Sequence, residues 1–221
     1  MKQLRMPGWL GRSERVKMMD DYIERSGRAW FGFRELDRAE KEKAVLAHFN
    51  RVAPRYDFMN SLLSFGIHYA WKRKAVRLLD VKPGHRVLDV CGGTGDLAVY
   101  SARRAGAGGG VFVYDMNRAM MEAGRKRPEN RRHKDCLHYI QGNAESIAFP
   151  DNCFDAATVG FGIRNLTHLK KGFAEMFRVL KPGGRSCALN FQNRSIPSSA
   201  RSMTAIPSMS CPFWEASWPA P

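Results

Sequence analysis

The chain has 221 residues, of which 44% are hydrophobic and 26% charged, a composition typical of one globular domain with a buried core. It has no run of the roughly 18–20 apolar residues that a membrane-spanning helix needs, no apolar segment of a secretory signal, and no C-x-x-C pair among its five cysteines, so a cytoplasmic location is expected. The formal net charge of +15 admits an anionic membrane surface as a partner, but basic residues do not alternate with aromatic ones as they do where nucleic-acid bases stack, so nucleic-acid binding is not expected.

The first 80 residues form two predicted segments ahead of the main domain. Residues 1–40 are polar, charged and weakly periodic, which predicts a basic and partly disordered arm. Residues 41–80 carry apolar side chains at helical spacing and predict a helical cap, with one helix starting near Glu40 and a second over residues 61–79. Pro83 and Gly84 then interrupt the helical pattern.

Short apolar strands alternate with helices over residues 81–192, which we predict to be the main domain. The predicted strands cover residues 86–91, 110–115, 137–142 and 154–160, and the predicted helices cover 96–104, 117–126 and 169–180. Alternating strands and helices imply parallel strands joined by right-handed crossovers. The expected fold is therefore α/β and Rossmann-like, a mostly parallel sheet with helices on both faces and an N-terminal helical extension.

A glycine-rich turn, Gly92-Gly93-Thr94-Gly95, follows the first of these strands. Glycines let the backbone turn sharply and approach a ligand where a side chain would clash. Asp115 ends the next strand, where a carboxylate can accept hydrogen bonds from both hydroxyls of an adenosine ribose. The turn and Asp115 therefore predict a cofactor that contains adenosine.

Two such cofactors fit the spacing. The pattern G-x-G-x-x-A from Gly93 to Ala98 also occurs in dinucleotide-binding proteins, in which a pyrophosphate binds at the start of the helix. Here that position carries Asp96, with Asp89 nearby, and two carboxylates would repel the phosphates. S-adenosylmethionine has no phosphate and carries positive charge on its sulfonium and amino groups, so it is favoured over a dinucleotide.

Two further groups of polar residues follow in the sequence. Asn143 after the third strand can bond the edge of an adenine or serve only as a loop residue, and Ala144 leaves room for the ring. His133, Cys136 and His138 are close together but have no fourth ligand, so no metal site is predicted.

Several motifs together resemble one family. Residues 56–71 match Y-D-x-M-N-x-x-L-S-x-x-x-H-x-x-W, and they are accompanied by G-G-T-G-D, N-A-E, F-G-I-R-N and R-V-L-K-P-G-G further along the chain. This set resembles the demethylmenaquinone and polyprenyl-benzoquinol C-methyltransferases of menaquinone and ubiquinone synthesis, over about residues 31–185. The resemblance implies a class I methyltransferase that moves a methyl group from S-adenosyl-L-methionine to a ring carbon of a prenylated quinol.

The resemblance also implies roles for individual residues. Cofactor binding falls to Thr94, Asp115, Asn143 and Ala144, and Gly160 stands where the family usually has serine. Carbon methylation requires a base and a group that stabilises the phenolate of the quinol.

By the same resemblance, Arg164 and Asn165 would orient the quinol and stabilise its oxyanion. Tyr56, Asp57 and His68 would line the pocket or assist proton removal, although His68 can equally be structural. Met59 and Trp71 are expected in the core. Because a prenyl tail resides in a membrane, the basic surface would serve peripheral attachment.

Residues 193–221 depart from this pattern. They are rich in Ser, Pro, Met and Trp without periodicity, which predicts a disordered tail. The family continues with a strand ending in L-E-F-S-K-P, and codons for residues 189–194 read two bases later permit E-F-S-K-P. We therefore hypothesise a frameshift near Ser186 that replaced the C-terminal strands.

Two alternatives remain open beside an active quinone methyltransferase. A chain that lost its C-terminal strands can be an inactive remnant that binds the cofactor without turnover. A methyltransferase acting on nucleic acid would account for the positive charge and would show salt-sensitive binding, but the motif over residues 56–71 argues against it.

Overall fold

A helix and a β-hairpin precede the main domain. The computed structural model describes residues 21–31, 34–189 and 214–215. Residues 21–26 are helical and are the described part of α1, and β1 (Arg28–Phe31) pairs antiparallel with β2 (Arg34–Asp37). The hairpin lies inside the stretch for which the sequence predicted an arm, and it packs on the following helix with Ala29 fully buried. Residues 1–20 of that arm lie outside the described residues.

Three helices form the cap. Helix α2 (Arg38–Val52) begins with a capping box between Asp37 and Glu40, and a 3-10 turn links it to α3 (Tyr56–Leu63) and α4 (Ile67–Leu78). The single helix predicted over residues 61–79 is wrong. Phe65 and Gly66 have φ of 47° and 72°, in the left-handed region, so the chain turns between α3 and α4.

The main domain contains a sheet of five parallel strands, ordered β5-β4-β3-β6-β7. Its strands are β3 (Arg86–Val90), β4 (Gly110–Asp115), β5 (Leu137–Gln141), β6 (Phe154–Gly160) and β7 (Leu180–Leu189). A two-residue strand, β8 (Trp214–Glu215), pairs antiparallel with β7. It comprises the only residues of the predicted tail that the structure describes. The α/β expectation is confirmed.

Helices cover the sheet and bury its strands. The sheet carries α5 (Asp96–Ala105), α6 (Arg118–Lys126), α7 (Pro128–Arg131) and α8 (Leu169–Val179). Neighbouring residues of β3 point to opposite faces, so Val87 packs with the cluster around α4 and α5 while Leu88 packs with the cluster around α8. Helix α8 ends at Val179, one residue before the predicted end, because β7 already begins at Leu180.

Within the described residues, no helix is long and apolar enough to cross a bilayer.

Gly124 allows α6 to approach the backbone of the glycine-rich turn. A Cβ at this position would lie 2.6 Å from the carbonyl oxygen of Thr94, which is backbone and cannot rotate away. We expect Gly124→Ala to lower the free energy of unfolding by about 1–3 kcal/mol, measured by urea denaturation. Gly108→Ala is the matched control, because a Cβ there meets no atom within 4 Å. Equal midpoints for the two variants would contradict the proposed contact.

Candidate active site

A cavity of about 940 Å³ lies where β3, β4 and β6 end and where α2 and α3 cover the sheet. A cavity of this size can hold a nucleoside cofactor with a second small ring beside it. Of the predicted site residues, eleven line it: Tyr56, His68, Gly92, Gly93, Thr94, Asp115, Asn143, Ala144, Gly160, Arg164 and Asn165. The sequence prediction therefore located residues that the fold brings together.

Asp115 is held in place by the backbone of two loops. The N–H of Gly93 donates to its Oδ2 at 2.8 Å, and the N–H of Asn117 donates to its Oδ1 at 2.7 Å. Burial raises the pKa of this carboxyl, and the two N–H donors oppose that effect. Each carboxylate oxygen can accept more than one hydrogen bond, so both remain able to accept from a ligand hydroxyl.

The glycines of the turn have different structural roles. Gly93 has a φ of 55° and lines the cavity beside Met120 and Asp115. Gly95, predicted to contact the cofactor, does not line the cavity. It precedes α5 with a φ of 83°, and a Cβ there would lie 3.2 Å from both Asn130 Nδ2 and the Tyr139 hydroxyl. Its φ lies in the left-handed region that favours glycine, and the space beneath the turn is tight as well.

Asp89 connects the turn to the sheet. Its carboxylate accepts hydrogen bonds from the Ala98 N–H at 3.1 Å and from Thr158 Oγ1 at 2.7 Å. Burial raises its pKa to about 7. Because both partners are internal, this carboxyl serves to fix α5 and β6 against β3.

A cluster of charged side chains lies beneath Thr94. Asp96 at the start of α5 is within 2.5 Å of both Lys72 Nζ and Arg127 Nη1. Although burial raises the pKa of Asp96, these two cations lower it below its ordinary value. Arg127 also lies 3.3 Å from Asp57, which accepts a hydrogen bond from Thr94 Oγ1 at 2.9 Å.

Sequence reasoning missed Lys72 and Arg127. Lys72 is buried on the inner face of α4 together with His68, Ala75 and Val76. A lysine that shares the inward face of a helix with apolar residues is expected to pair with a buried negative charge. The carboxylate of Asp96, at the first position of α5, could have been suggested as that partner. Arg127 gave no such signal, because it belongs to a run of basic residues.

His68 faces the cavity from α4. Its Nε2 lies 3.4 Å from Ser61 Oγ, and its Nδ1 has no hydrogen-bond partner in the described part of the chain. Burial and, secondarily, the nearby Lys72 lower its pKa to about 4. The imidazole is therefore neutral at pH 7.

Arg164 and Asn165 reach the cavity from the 3-10 turn Gly162–Asn165 that follows β6. Buried Ile163 anchors this turn, and Lys41 Nζ of α2 donates to the carbonyl of Leu166 at 2.8 Å. Because the Arg164 side chain is exposed at the cavity wall, its charge is available to a ligand.

A second contact of α2 lies on the opposite side of the cavity. Asn117 Nδ2 donates to Asn50 Oδ1 at 2.9 Å and to the carbonyl of Leu46 at 3.3 Å. Helix α2 is thus tied both to the loop after β4 and to the turn after β6.

The loop after β5 positions Asn143 and Ala144. Asn143 Oδ1 accepts a hydrogen bond from the Glu145 N–H at 2.8 Å, which is the turn role that the sequence left open for it. Glu145 in turn accepts from the N–H groups of Thr167 and His168 at 2.6 and 2.9 Å. The loop after β5 is thereby joined to the segment after β6.

Three remaining predictions concern packing and metal. Met59, expected in the core, is 43% exposed, because α3 directs its polar side chains toward the protein.

Gly160 stands where the family usually has serine. A Cβ at this position would lie 3.0 Å from Leu97 Cδ1, so a serine would need Leu97 to shift. No group of three or more His, Cys, Asp or Glu in the described ranges can hold a metal ion.

Comparison with known proteins gives a consistent result. The model of the ubiE/COQ5 methyltransferase family matches residues 37–212. The chain is 46% identical over 168 residues to the ubiquinone/menaquinone biosynthesis C-methyltransferase of Pectobacterium carotovorum, covering 76% of this chain and 67% of that protein. It is 48% identical over 173 residues to the protein of the same description in Stenotrophomonas maltophilia, covering 78% and 68%.

Among solved structures, the chain resembles a SAM-dependent methyltransferase of Aquifex aeolicus. The TM-score is 0.51 with 22% sequence identity, over 58% of this chain and 68% of that one. At this identity the likeness supports the fold, which agrees with the parallel sheet described above.

The low pKa of His68 makes stability depend on pH. Its pKa is about 4 in the folded chain and 6.5 when unperturbed, so between these values the unfolded chain binds the proton and stability falls as pH falls. Between pH 7 and 5, we expect the free energy of unfolding of wild type to lose about 2 kcal/mol more than that of His68→Gln. Urea denaturation of both proteins at the two pH values measures this.

The contribution of Asp89 to stability has the opposite pH dependence. Its pKa is raised to about 7 in the folded chain, so the folded chain binds this proton first and is stabilised as pH falls. That contribution is common to both proteins and cancels in the comparison. Parallel pH profiles for wild type and His68→Gln would contradict the assignment to His68.

Proposed function

This chain belongs to the ubiE/COQ5 methyltransferase family, and from that premise we propose that its cavity joins the methyl group of S-adenosyl-L-methionine to a ring carbon of a prenylated quinol. Family membership makes the chain a C-methyltransferase. The carboxylate of Asp115 beside the glycine-rich turn is the single observation that best supports the cofactor.

The residues at the turn suit this cofactor. Asp115 offers two oxygens to the ribose hydroxyls, and buried Ala144 offers a flat surface to the adenine with Asn143 at its edge. Thr94 and Gly93 face the methionine end. A pyrophosphate would fit poorly, because Asp96 already engages the cations Lys72 and Arg127.

When bound, S-adenosyl-L-methionine supplies an electrophilic methyl group whose carbon–sulfur bond breaks with its electron pair left on sulfur. The quinol ring must supply the pair that forms the new carbon–carbon bond, and it does so best as a phenolate. The chain therefore has to orient the ring, make its hydroxyl more acidic and accept the hydroxyl proton. The methylated ring carbon then loses its own proton as the ring regains aromaticity, and the phenolate oxygen is reprotonated, so that one proton is released in total.

Arg164 and Asn165 are proposed to perform the first two tasks. A guanidinium stabilises negative charge that develops on the quinol oxygen, and an amide donor fixes the direction of the ring. Arg164 projects into the cavity from a turn anchored by Ile163 and by Lys41, so little reorganisation is needed when the charge develops.

His68 and Tyr56 are proposed to handle the proton. His68 is neutral and can accept one, but a pKa of about 4 makes it a weak base. Proton transfer to it therefore depends on the acidification of the quinol by Arg164. Tyr56 lines the same cavity and can pass the proton onward to solvent.

A substitution at Arg164 tests this division of roles. We expect Arg164→Met to lower kcat by roughly 10²–10³-fold, the usual cost of losing one oxyanion-stabilising group, while binding of S-adenosylmethionine stays the same. Arg164→Lys keeps the charge and should recover part of kcat. Transfer of a labelled methyl group to a reduced demethylmenaquinone analogue gives kcat, and calorimetry gives cofactor affinity. A parallel loss of cofactor affinity would contradict a role confined to the quinol.

We further propose that a frameshift near Ser186 altered the C-terminal part of this chain. The support is the out-of-frame match to the family beyond residue 188. Restoring the frame should increase methyl transfer to the same quinol analogue in a side-by-side assay, because the missing strands would complete the sheet and the pocket. If only the restored chain turns over while both bind S-adenosylmethionine, the present chain is an inactive remnant. An intact frame on resequencing, without insertion or deletion relative to close relatives, would contradict the proposal.

A further inference from the structure

Helix α3 is oriented with its polar side toward the protein. Asp57 accepts from Thr94 Oγ1 at 2.9 Å and lies 3.3 Å from Arg127. One turn further, Ser61 Oγ lies 3.0 Å from the Tyr69 hydroxyl and 3.4 Å from His68 Nε2. The apolar side of the helix consequently faces outward, the reverse of an ordinary surface helix.

The outward side forms a concentrated apolar surface. In the described part of the chain, large apolar side chains that are exposed concentrate between residues 58 and 67. They are Phe58 at 69%, Met59 at 43%, Leu62 at 61%, Leu63 at 77%, Phe65 at 90% and Ile67 at 39%. We call these six residues the α3 patch. Contiguous apolar surface of this kind on a soluble protein marks an interaction site.

Positive charge surrounds the α3 patch. Residues 51–79 contain six basic residues and one acidic residue, Asp57, which is engaged by Arg127. Lys72 is likewise engaged by Asp96. The other five basic side chains are exposed: Arg51, Arg55, Arg73, Lys74 and Arg77.

We propose that the α3 patch docks on the surface of an anionic lipid bilayer, with α3 lying at the boundary between headgroups and acyl chains. An apolar helix face flanked by arginine and lysine is the combination that favours this position. A second copy of the chain is a poorer occupant, because two identical patches would bring the same five positive charges together.

The α3 patch is continuous with the cavity. Met59 and Leu63 belong to the patch and also line the cavity, together with Ser64. Docking would therefore place the cavity mouth against the membrane. Resting on the proposed function, this geometry lets the quinol ring enter while its prenyl chain remains in the lipid, so turnover should be insensitive to prenyl length once the chain reaches the bilayer.

The test replaces side chains that belong to the α3 patch but do not line the cavity. In the triple variant Phe58→Ser/Leu62→Ser/Phe65→Ser, cosedimentation with vesicles of phosphatidylglycerol and phosphatidylcholine in equal parts should fall by at least about tenfold. Phe177→Ser, which removes an exposed phenylalanine on α8, is the matched control and should bind as wild type does. Vesicles of phosphatidylcholine alone should bind wild type more weakly, by about fivefold for each basic residue engaged.

The outcomes separate this proposal from the proposed function, because vesicle binding requires no methyl transfer. The triple variant should methylate a tailless quinol in solution as wild type does and lose activity only on a prenylated quinol in vesicles. Vesicle binding without turnover on any quinol, by this chain and also by the chain with its frame restored, would leave the docking surface standing and reject the function. Undiminished vesicle binding by the triple variant would overturn the docking proposal. So would light scattering that shows a wild-type dimer and a monomeric variant without any vesicle binding.

Discussion

Asp96 is a buried carboxylate whose two cationic partners come from different parts of the chain. Lys72 belongs to the cap and Arg127 to the segment between α6 and α7, and each lies within 2.5 Å of a carboxylate oxygen. A charge removed from water is tolerated only when its partners are well placed, and loss of one partner leaves the other uncompensated. The cluster therefore forms only when α4, α5 and the α6–α7 connection are packed together in their native positions.

The orientation of α3 follows from the same cluster. Arg127 also contacts Asp57, and Asp57 holds the hydroxyl of Thr94, so the polar side of α3 is drawn toward the cofactor turn. Once that side faces inward, the phenylalanine and leucine side chains of the helix have to face outward. One electrostatic arrangement thus determines both the position of a cofactor-binding residue and the character of the surface around the cavity mouth.

Much of the fold and of the site could be predicted because the relevant signals are local. The strand before Gly92, the turn itself and Asp115 lie within a short span, and strand ends meet at one edge of a parallel sheet. The cap could not be predicted as well. Apolar periodicity continues across Gly66 and does not indicate that the chain turns there. It indicates which side of α3 is apolar, but not which side packs against the protein.

The charged cluster was missed for a related reason. Lys72 and Arg127 are 24 and 31 residues away from Asp96 along the chain, so the pairing exists only after the sheet and cap have assembled. Gly95 illustrates the converse case. It was predicted to contact the cofactor but does not line the cavity, and glycine suits this position because of its left-handed φ and the nearness of Asn130 and Tyr139 below the turn.

Helix α2 directs its apolar side toward the cavity. Its only buried residue is Lys41, and its apolar side chains, among them Val45, Leu46 and Phe49, line the cavity instead of the core. The helix packs on the β1–β2 hairpin and on α6, and hydrogen bonds tie it to the protein at two further points. Ligands in the cavity would add apolar contacts to its cavity-facing side. Ligand occupancy and the docking of this helix over the sheet would then be thermodynamically linked.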